Sequence, residues 1–299
     1  MNNKKLIDFL IIGAQKSATT SLFKYLSVHP DIYMPREKET NFFSDDKKFI
    51  LGVSWYMCEH FSSASSSMIW GEASPDYMCY DYVPERIYRT FPNIKLIAML
   101  RNPVTRAYSH YRMAVRRKIE ALPFDEYIKK LIARSNISDD FIDYAREFIM
   151  FGEYGRILSN YLKYFPINKI KLIFMENMIK EPMRNMKDIY SFLGVLNEFE
   201  SGVFGKQYHK GGEARFIFLE KFLMHKWIKQ PLRLLLPPKI RRPLGFWLIT
   251  KLTVKTKMDS GPSQEIRQIL KNYYSKDVEL LESLFEIRVP WKEFNKNLV

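Results

Sequence analysis

Ile7-Asp-Phe-Leu-Ile-Ile-Gly-Ala-Gln-Lys-Ser-Ala-Thr-Thr-Ser-Leu-Phe23 is the stretch on which the fold turns. Phe9 to Ile12 are four consecutive apolar residues, which is the pattern of a short strand buried on both faces. Gly13 supplies a turn, and a helix is expected to open at about Thr20 and run to Leu26. Backbone N–H groups in the first turn of a helix have no intrahelical acceptor, and the helix dipole favours an anion there. The strand–loop–helix therefore suits a phosphate or sulfate ester. Ser17, Ala18, Thr19, Thr20 and Ser21 are the candidate binding positions, four of them with hydroxyl donors. Lys16 adds a cation able to reach a bridging oxygen. The spacing departs from the Walker A pattern, because Gln15 stands where a glycine must precede the lysine. An ordinary strand–turn–helix start is the competing reading. The hydroxyl cluster argues against it, since such residues are poor helix formers with little reason to gather unless they bind or cap.

A second segment repeats the logic. Ile94-Lys-Leu-Ile-Ala-Met-Leu-Arg-Asn-Pro-Val-Thr-Arg-Ala-Tyr-Ser-His-Tyr111 reads as an apolar strand, Ile94 to Leu100, ending at Arg101. Asn102 is the expected N-cap of the next helix and Pro103 its first residue. Arg101 then falls at the carboxyl end of a parallel strand, where open α/β sheets bind ligands. Ser109 lies about two turns into that helix and is expected to face the same crevice. Arginine and serine so placed suit a terminal phosphate, the guanidinium supplying paired donors. A surface arginine at a strand end is the plainer alternative.

These residues carry a family resemblance. Gly13-Ala-Gln-Lys-Ser-Ala-Thr-Thr-Ser-Leu22 resembles the 5′-phosphosulfate loop of sulfotransferases that use 3′-phosphoadenosine-5′-phosphosulfate (PAPS). Leu100 to Tyr111 resembles their 3′-phosphate segment. Tyr154 to Pro166, Ile170 to Met178, Phe192-Leu-Gly-Val195 and Lys210-Gly211 are similar to later family stretches. The likeness is to the heparan-sulfate and bacterial carbohydrate branch and covers most of the chain outside about Phe216 to Lys257. It implies Lys16 as stabiliser of the leaving oxygen and a loop containing Lys210, Gly211 and Gly212 that closes over the cofactor. The implied reaction moves a sulfuryl group from PAPS to a hydroxyl of a carbohydrate or glycolipid, leaving adenosine 3′,5′-bisphosphate, with no metal.

Such a transfer needs in-line positioning, charge neutralisation and a base for the acceptor hydroxyl. Met34-Pro-Arg-Glu-Lys-Glu-Thr-Asn-Phe-Phe43 matches the Lys-Glu-x-x-Phe-Phe motif of the glycan branch. The match implies Glu39 as the base, with Lys38 near the sulfuryl group and Phe42 and Phe43 walling the pocket and desolvating the carboxylate. Read without it, Arg36 to Glu39 is a charge cluster of the kind that usually forms a solvated loop. Gly71-Glu-Ala-Ser-Pro-Asp-Tyr77 resembles a family segment near the acceptor, which makes Glu72 and Ser74 acceptor-site candidates. Ala73 stands where heparan enzymes often carry lysine, a departure that bears on the acceptor. The five histidines lack the motif context of the cytosolic phenol and steroid branch, so each is read as structural or exposed.

Strand-like runs near Phe9, Ile32, Met68 to Glu72, Ile94 to Leu100 and Lys171 to Phe174 alternate with helical patterns. That order gives a three-layer αβα fold around a mainly parallel sheet, with a P-loop-like phosphate loop. The 299 residues are expected to form a single domain, 1–299, with a basic helical subregion at about 216–257. The subregion mixes Phe216, Phe222, Trp227, Phe246 and Trp247 with Lys226, Arg233, Arg241 and Arg242, and prolines break it into short helices. It reads as a helical insertion packed on the core, or else as a peripheral element on an anionic membrane. The net charge of +14 suits an anionic cofactor. No zinc-finger spacing or RNA-binding signature accompanies it, so nucleic acid is not expected as a partner. Cys58 and Cys79 form no metal pattern. The chain opens almost directly on its first strand, with no secretory signal and no bilayer-length apolar run, which gives the expectation of a cytoplasmic protein, in one reading peripheral on the inner face of the membrane. The rival functions are a nucleotide-dependent kinase of the P-loop type, disfavoured by the broken Walker A, and a non-catalytic nucleotide-binding module.

Overall fold

The computed structural model describes residues 6–116, 123–133, 147–206, 213–214, 253–254 and 261–295. Two compact units are present. One comprises Met1–His209 with Pro262–Val299, and the other Lys210–Gly261.

The larger unit is the expected α/β fold. β1 (Phe9–Gly13) leads through α1 (Thr19–Leu26) to the two-residue β2 (Ile32–Tyr33), then α2 (Asp46–Phe49), α3 (Gly52–Phe61) and β3 (Ile69–Ala73). A 3-10 turn (Pro75–Cys79) and α4 (Val83–Thr90) precede β4 (Lys95–Leu100), α5 (Pro103–Arg116), α6 (Phe124–Ala133) and α7 (Tyr154–Leu162). β5 (Ile170–Phe174), α8 (Met175–Lys180) and α9 (Pro182–Leu193) follow. The strands order as β2-β3-β1-β4-β5 and every neighbouring pair is parallel. All five residues of β1 are buried, as a central strand covered on both faces requires.

Alternation along the strands divides the core. Leu10, Ile12, Trp70, Leu96, Ala98 and Leu100 face one hydrophobic layer. Phe9, Ile11, Ala73, Ile97, Met99 and Ile173 face the other, against Leu22, Tyr25 and Leu26 of α1 and Met186, Ile189 and Tyr190 of α9. This two-sided burial makes the three layers. From β1 the chain moves to β2 and β3 on one side and later to β4 on the other. The crevice between the carboxyl ends of β1 and β4 is thus a topological switch point. The β1–β4 register slips between Ile11 and Gly13, which bends β1 as it enters its loop.

α10 (Gln264–Phe285) closes the unit. Ser263 Oγ caps it by accepting from Ile266 N at 3.3 Å. α10 lies so close to α7 that a Cβ on Gly155 would come within 2.3 Å of Asp277 O. Glu153 provides no side-chain cap for α7. Asp277 takes that role from the neighbouring helix, accepting from Gly155 N at 2.9 Å and Arg156 N at 2.8 Å.

In the second unit, β6 (Glu213–Ala214) pairs antiparallel with β7 (Thr253–Val254). The short helices expected within 216–257, and with them the membrane reading, otherwise lie outside the described residues. Among the described residues no helix is long and apolar enough to cross a membrane.

Candidate active site

The loop after β1 is tied down at its start and open at its end. Ala14 N donates to Met99 O of β4 at 2.7 Å, and Ser17 N to Ala14 O at 3.2 Å. Lys16 (φ 71) and Ala18 (φ 64) adopt left-handed backbone conformations. For residues other than glycine each costs on the order of 1–3 kcal/mol, which the surroundings must offset. Consecutive turns of this kind aim N–H groups into one concavity, a shape that fits anions. Ala18 is the N-cap of α1 and no side chain caps the helix; Ser21 N donates to Ala18 O at 2.9 Å, which leaves the N–H groups of Thr19 and Thr20 for a ligand. Ser17 is fully buried, and its Oγ has no hydrogen-bond partner. Thr19 and Ser21 are also buried, while Thr20 is half-exposed. The half-buried Lys16 has its Nζ 3.7 Å from Met113 Sδ of α5.

Arg101 meets this loop directly. Its Nη1 donates to Lys16 O at 3.3 Å and its Nε to Thr105 Oγ1 at 2.9 Å. Two segments 85 residues apart are thereby joined at the switch point. Arg101 has no carboxylate ion partner among the described residues. Burial lowers its pKa, with Arg106 pushing the same way and Tyr154 and Glu176 opposing. A desolvated guanidinium in this state favours an incoming anion. Asn102 is the N-cap read from the sequence, its Oδ1 accepting from Val104 N at 3.0 Å and Thr105 N at 3.2 Å. Tyr154 Oη donates to Arg101 O at 2.8 Å. Glu176 accepts from Asn102 N at 3.0 Å and from Trp291 Nε1 at 3.1 Å, bracing the segment from behind. Ser109 is half-buried on α5.

The loop containing Lys38 and Glu39 reaches the same sheet edge. Glu39 N donates to Ala73 O at the end of β3 at 3.0 Å. Lys38 Nζ pairs with Glu39 Oε1, the lysine side chain being 14% exposed and the glutamate 52%. Glu39 (φ 68) and Asn41 (φ 54) are left-handed and flank the fully buried Thr40. Gln15 Nε2 donates to Asp76 Oδ1 at 3.2 Å, linking the β1 loop to the turn after β3. Beyond that turn, Tyr80 and Tyr82 are partly exposed and stacked, their centroids 5.5 Å apart.

Four expectations need correction. Phe42 and Phe43 do not wall a pocket; both are fully buried and pack against Phe49, Tyr56, Tyr77 and Phe91 beneath the loop. Their size and apolarity give more stabilisation in the core than at a wet surface. Glu72 and Ser74 are likewise fully buried, so neither reaches an acceptor. Glu72 Oε2 accepts instead from Thr40 Oγ1 and Ser74 Oγ, each at 3.0 Å. Thr40, Tyr77 and Gln15, part of this constellation, were not singled out as site residues in the sequence. The only hint was their place inside motif stretches. Lys210, Gly211 and Gly212 lie outside the described residues. Among the described residues no three His, Cys, Asp or Glu side chains could hold a metal ion.

An open parallel sheet whose switch point combines an uncapped helix N-terminus, a lysine and a desolvated arginine has the form of an α/β site suited to an anionic ligand. The sulfotransferase domain matches residues 6–205. The chain belongs to the sulfotransferase family. It is 30% identical over 192 residues to heparan sulfate glucosamine 3-O-sulfotransferase 5 of Mus musculus, covering 64% of this chain and 54% of that protein. To heparan sulfate glucosamine 3-O-sulfotransferase 3B1 of Homo sapiens it is 30% identical over 193 residues, 64% of this chain and 47% of that one. The chain thus spans about half the length of the curated relatives it matches. A crystal structure of a sulfotransferase from Alicyclobacillus acidocaldarius superposes with a TM-score of 0.65 at 26% identity, covering 95% of this chain and 98% of that one.

Proposed function

We propose that this protein transfers a sulfuryl group from PAPS to a hydroxyl of a carbohydrate or glycolipid. The observation that carries the reading is the junction of Lys16 and Arg101 beside the uncapped start of α1. PAPS supplies the activated sulfuryl group and two anionic ends spaced by a nucleoside. The partnerless Ser17 Oγ, the N–H groups at the start of α1 and Lys16 fit the 5′ end. Arg101, just past β4, with Ser109 on the following helix α5, fits the 3′-phosphate.

Lys16 neutralises charge that grows on the leaving oxygen, an interaction strongest in the transition state. Glu39 takes the acceptor proton on its carboxylate. Its half-exposed position, against the interior position of Glu72, favours it for contact with an outside hydroxyl. Lys38 keeps that carboxylate oriented. The relatives named for heparan sulfate glucosamine support a sugar acceptor. The exposed Tyr80–Tyr82 stack offers ring faces suited to a sugar.

Calorimetry with adenosine 3′,5′-bisphosphate tests the reading. Binding of the bisphosphate in preference to ATP is expected, and ATP binding without bisphosphate binding would overturn it. Labelled PAPS incubated with glycan and lipid extracts then identifies the acceptor.

A further inference from the structure

Glu72 is an unusual residue to find inside a sheet. It sits on β3 opposite Leu10 of β1, is fully buried, and forms no ion pair among the described residues. Oε2 accepts from both Thr40 and Ser74, while Oε1 has no hydrogen-bond partner. A buried carboxyl satisfied on one oxygen alone is costly, and an apolar residue of its size would pack without that cost. Its bonds show what the carboxyl holds. Thr40 is the residue between left-handed Glu39 and Asn41. Ser74 Oγ, which donates to Glu72, also accepts from Asn41 N at 3.0 Å. Lys48 Nζ donates to Thr40 O at 2.5 Å, clamping the same residue from the other side. Thr40 is thus held at both its side chain and its carbonyl.

We propose that Glu72 is a positioning residue, which through Thr40 and Ser74 fixes the left-handed turn that presents Lys38 and Glu39 at the sheet edge. The catalytic consequence rests on the reading of Glu39 as the base. Without the clamp, two non-glycine residues in left-handed conformations relax toward commoner backbone angles, and Glu39 loses its aim. Glu72 itself never meets the acceptor. Burial raises its pKa, with Tyr77, Ser74, Thr40 and Lys38 acting in the opposite direction.

The decisive pair is Thr40→Val, which keeps the shape and removes the hydroxyl, and Thr40→Ser, which keeps the hydroxyl. Amide hydrogen exchange is followed by NMR on the full chain with adenosine 3′,5′-bisphosphate. In Thr40→Val the Glu39 and Asn41 amides should exchange about tenfold faster or more, with those of Leu96 and Ile97 in β4 unchanged. Thr40→Ser should stay near wild type. With labelled PAPS and glucosamine oligosaccharides, Thr40→Val should lower kcat by about tenfold or more while the donor KM stays within about twofold, and serine should restore it. Glu72→Gln, which keeps an acceptor oxygen, should behave as Thr40→Ser, and Glu72→Leu as Thr40→Val. Wild-type exchange at Glu39 and Asn41 in Thr40→Val would overturn the proposal. So would faster exchange with undiminished kcat, or equal losses in the valine and serine variants. Should wild-type protein bind the bisphosphate yet transfer nothing to the oligosaccharides, the sugar-acceptor reading falls, and the exchange contrast alone decides the role of Glu72.

Discussion

Replacing Arg101 by alanine should weaken the grip on the 3′-phosphate without harming the empty protein. Its guanidinium is largely desolvated and has no carboxylate partner among the described residues, so little native stability depends on its charge. Among the described residues the hydrogen bonds lost are those to Thr105 Oγ1 and Lys16 O. With bisphosphate bound, the arginine makes charge-assisted hydrogen bonds worth about 1.5–3 kcal/mol together, a loss of about 10- to 150-fold in affinity. Thermal melting gives a direct readout. Ligand at 100 times the wild-type Kd stabilises by about 2.7 kcal/mol, or about 5–11 °C for a domain of this size. If affinity falls 100-fold, the same ligand concentration equals the new Kd and stabilises by only about 0.4 kcal/mol, about 1–2 °C. Arg101→Lys should fall between, keeping the charge and losing the paired geometry. Equal bisphosphate-induced shifts in wild type and Arg101→Ala would refute the 3′-phosphate assignment.

Lys16→Ala and Glu39→Gln should separate chemistry from binding. Glu39→Gln should lose about two to four orders of magnitude in kcat with bisphosphate affinity unchanged, and Lys16→Ala should lose more kcat than affinity. A near-normal rate in Glu39→Gln would move the base elsewhere, with the half-buried Asp76 next in line. The buried carboxyl of Glu72 should mark the pH dependence of stability. Because burial raises its native pKa above the ordinary 4.5, its contribution is full below that pH and is lost as pH rises through the native value. The melting temperature of wild type minus that of Glu72→Gln should therefore fall from about pH 4.5 upward, and a flat or rising difference would contradict the burial argument. Asp277→Ala orphans Gly155 N and Arg156 N and should cost about 1–3 kcal/mol, about 2–12 °C in Tm, with bisphosphate binding retained. Melting within a degree of wild type would mean water replaces the cap.

The sequence by itself determined the strands, the two strand–loop–helix segments that follow β1 and β4, and the Asn102 cap. Each depends on short-range patterns. Phe9 to Ile12 is a continuous apolar run, Asn102-Pro103 is a local helix start, and the hydroxyl cluster after Lys16 has little helix propensity of its own. These elements appear with ends shifted by one residue, β1 reaching Gly13 and α1 starting at Thr19. Tertiary structure alone decided which residues of a motif face outward. Phe42, Phe43, Glu72 and Ser74 lie in stretches that resemble an active site, and period-2 alternation in β3 cannot show which face meets an aromatic core built from α2, α3 and the 3-10 turn. The docking of those distant elements turned Glu72 inward onto Thr40 and left Glu39 half in water. The hydrogen bond from Arg101 to Lys16 O has the same origin. It spans 85 residues and exists because β1 and β4 are neighbours in the sheet, an adjacency set by strand order rather than by anything written near either residue.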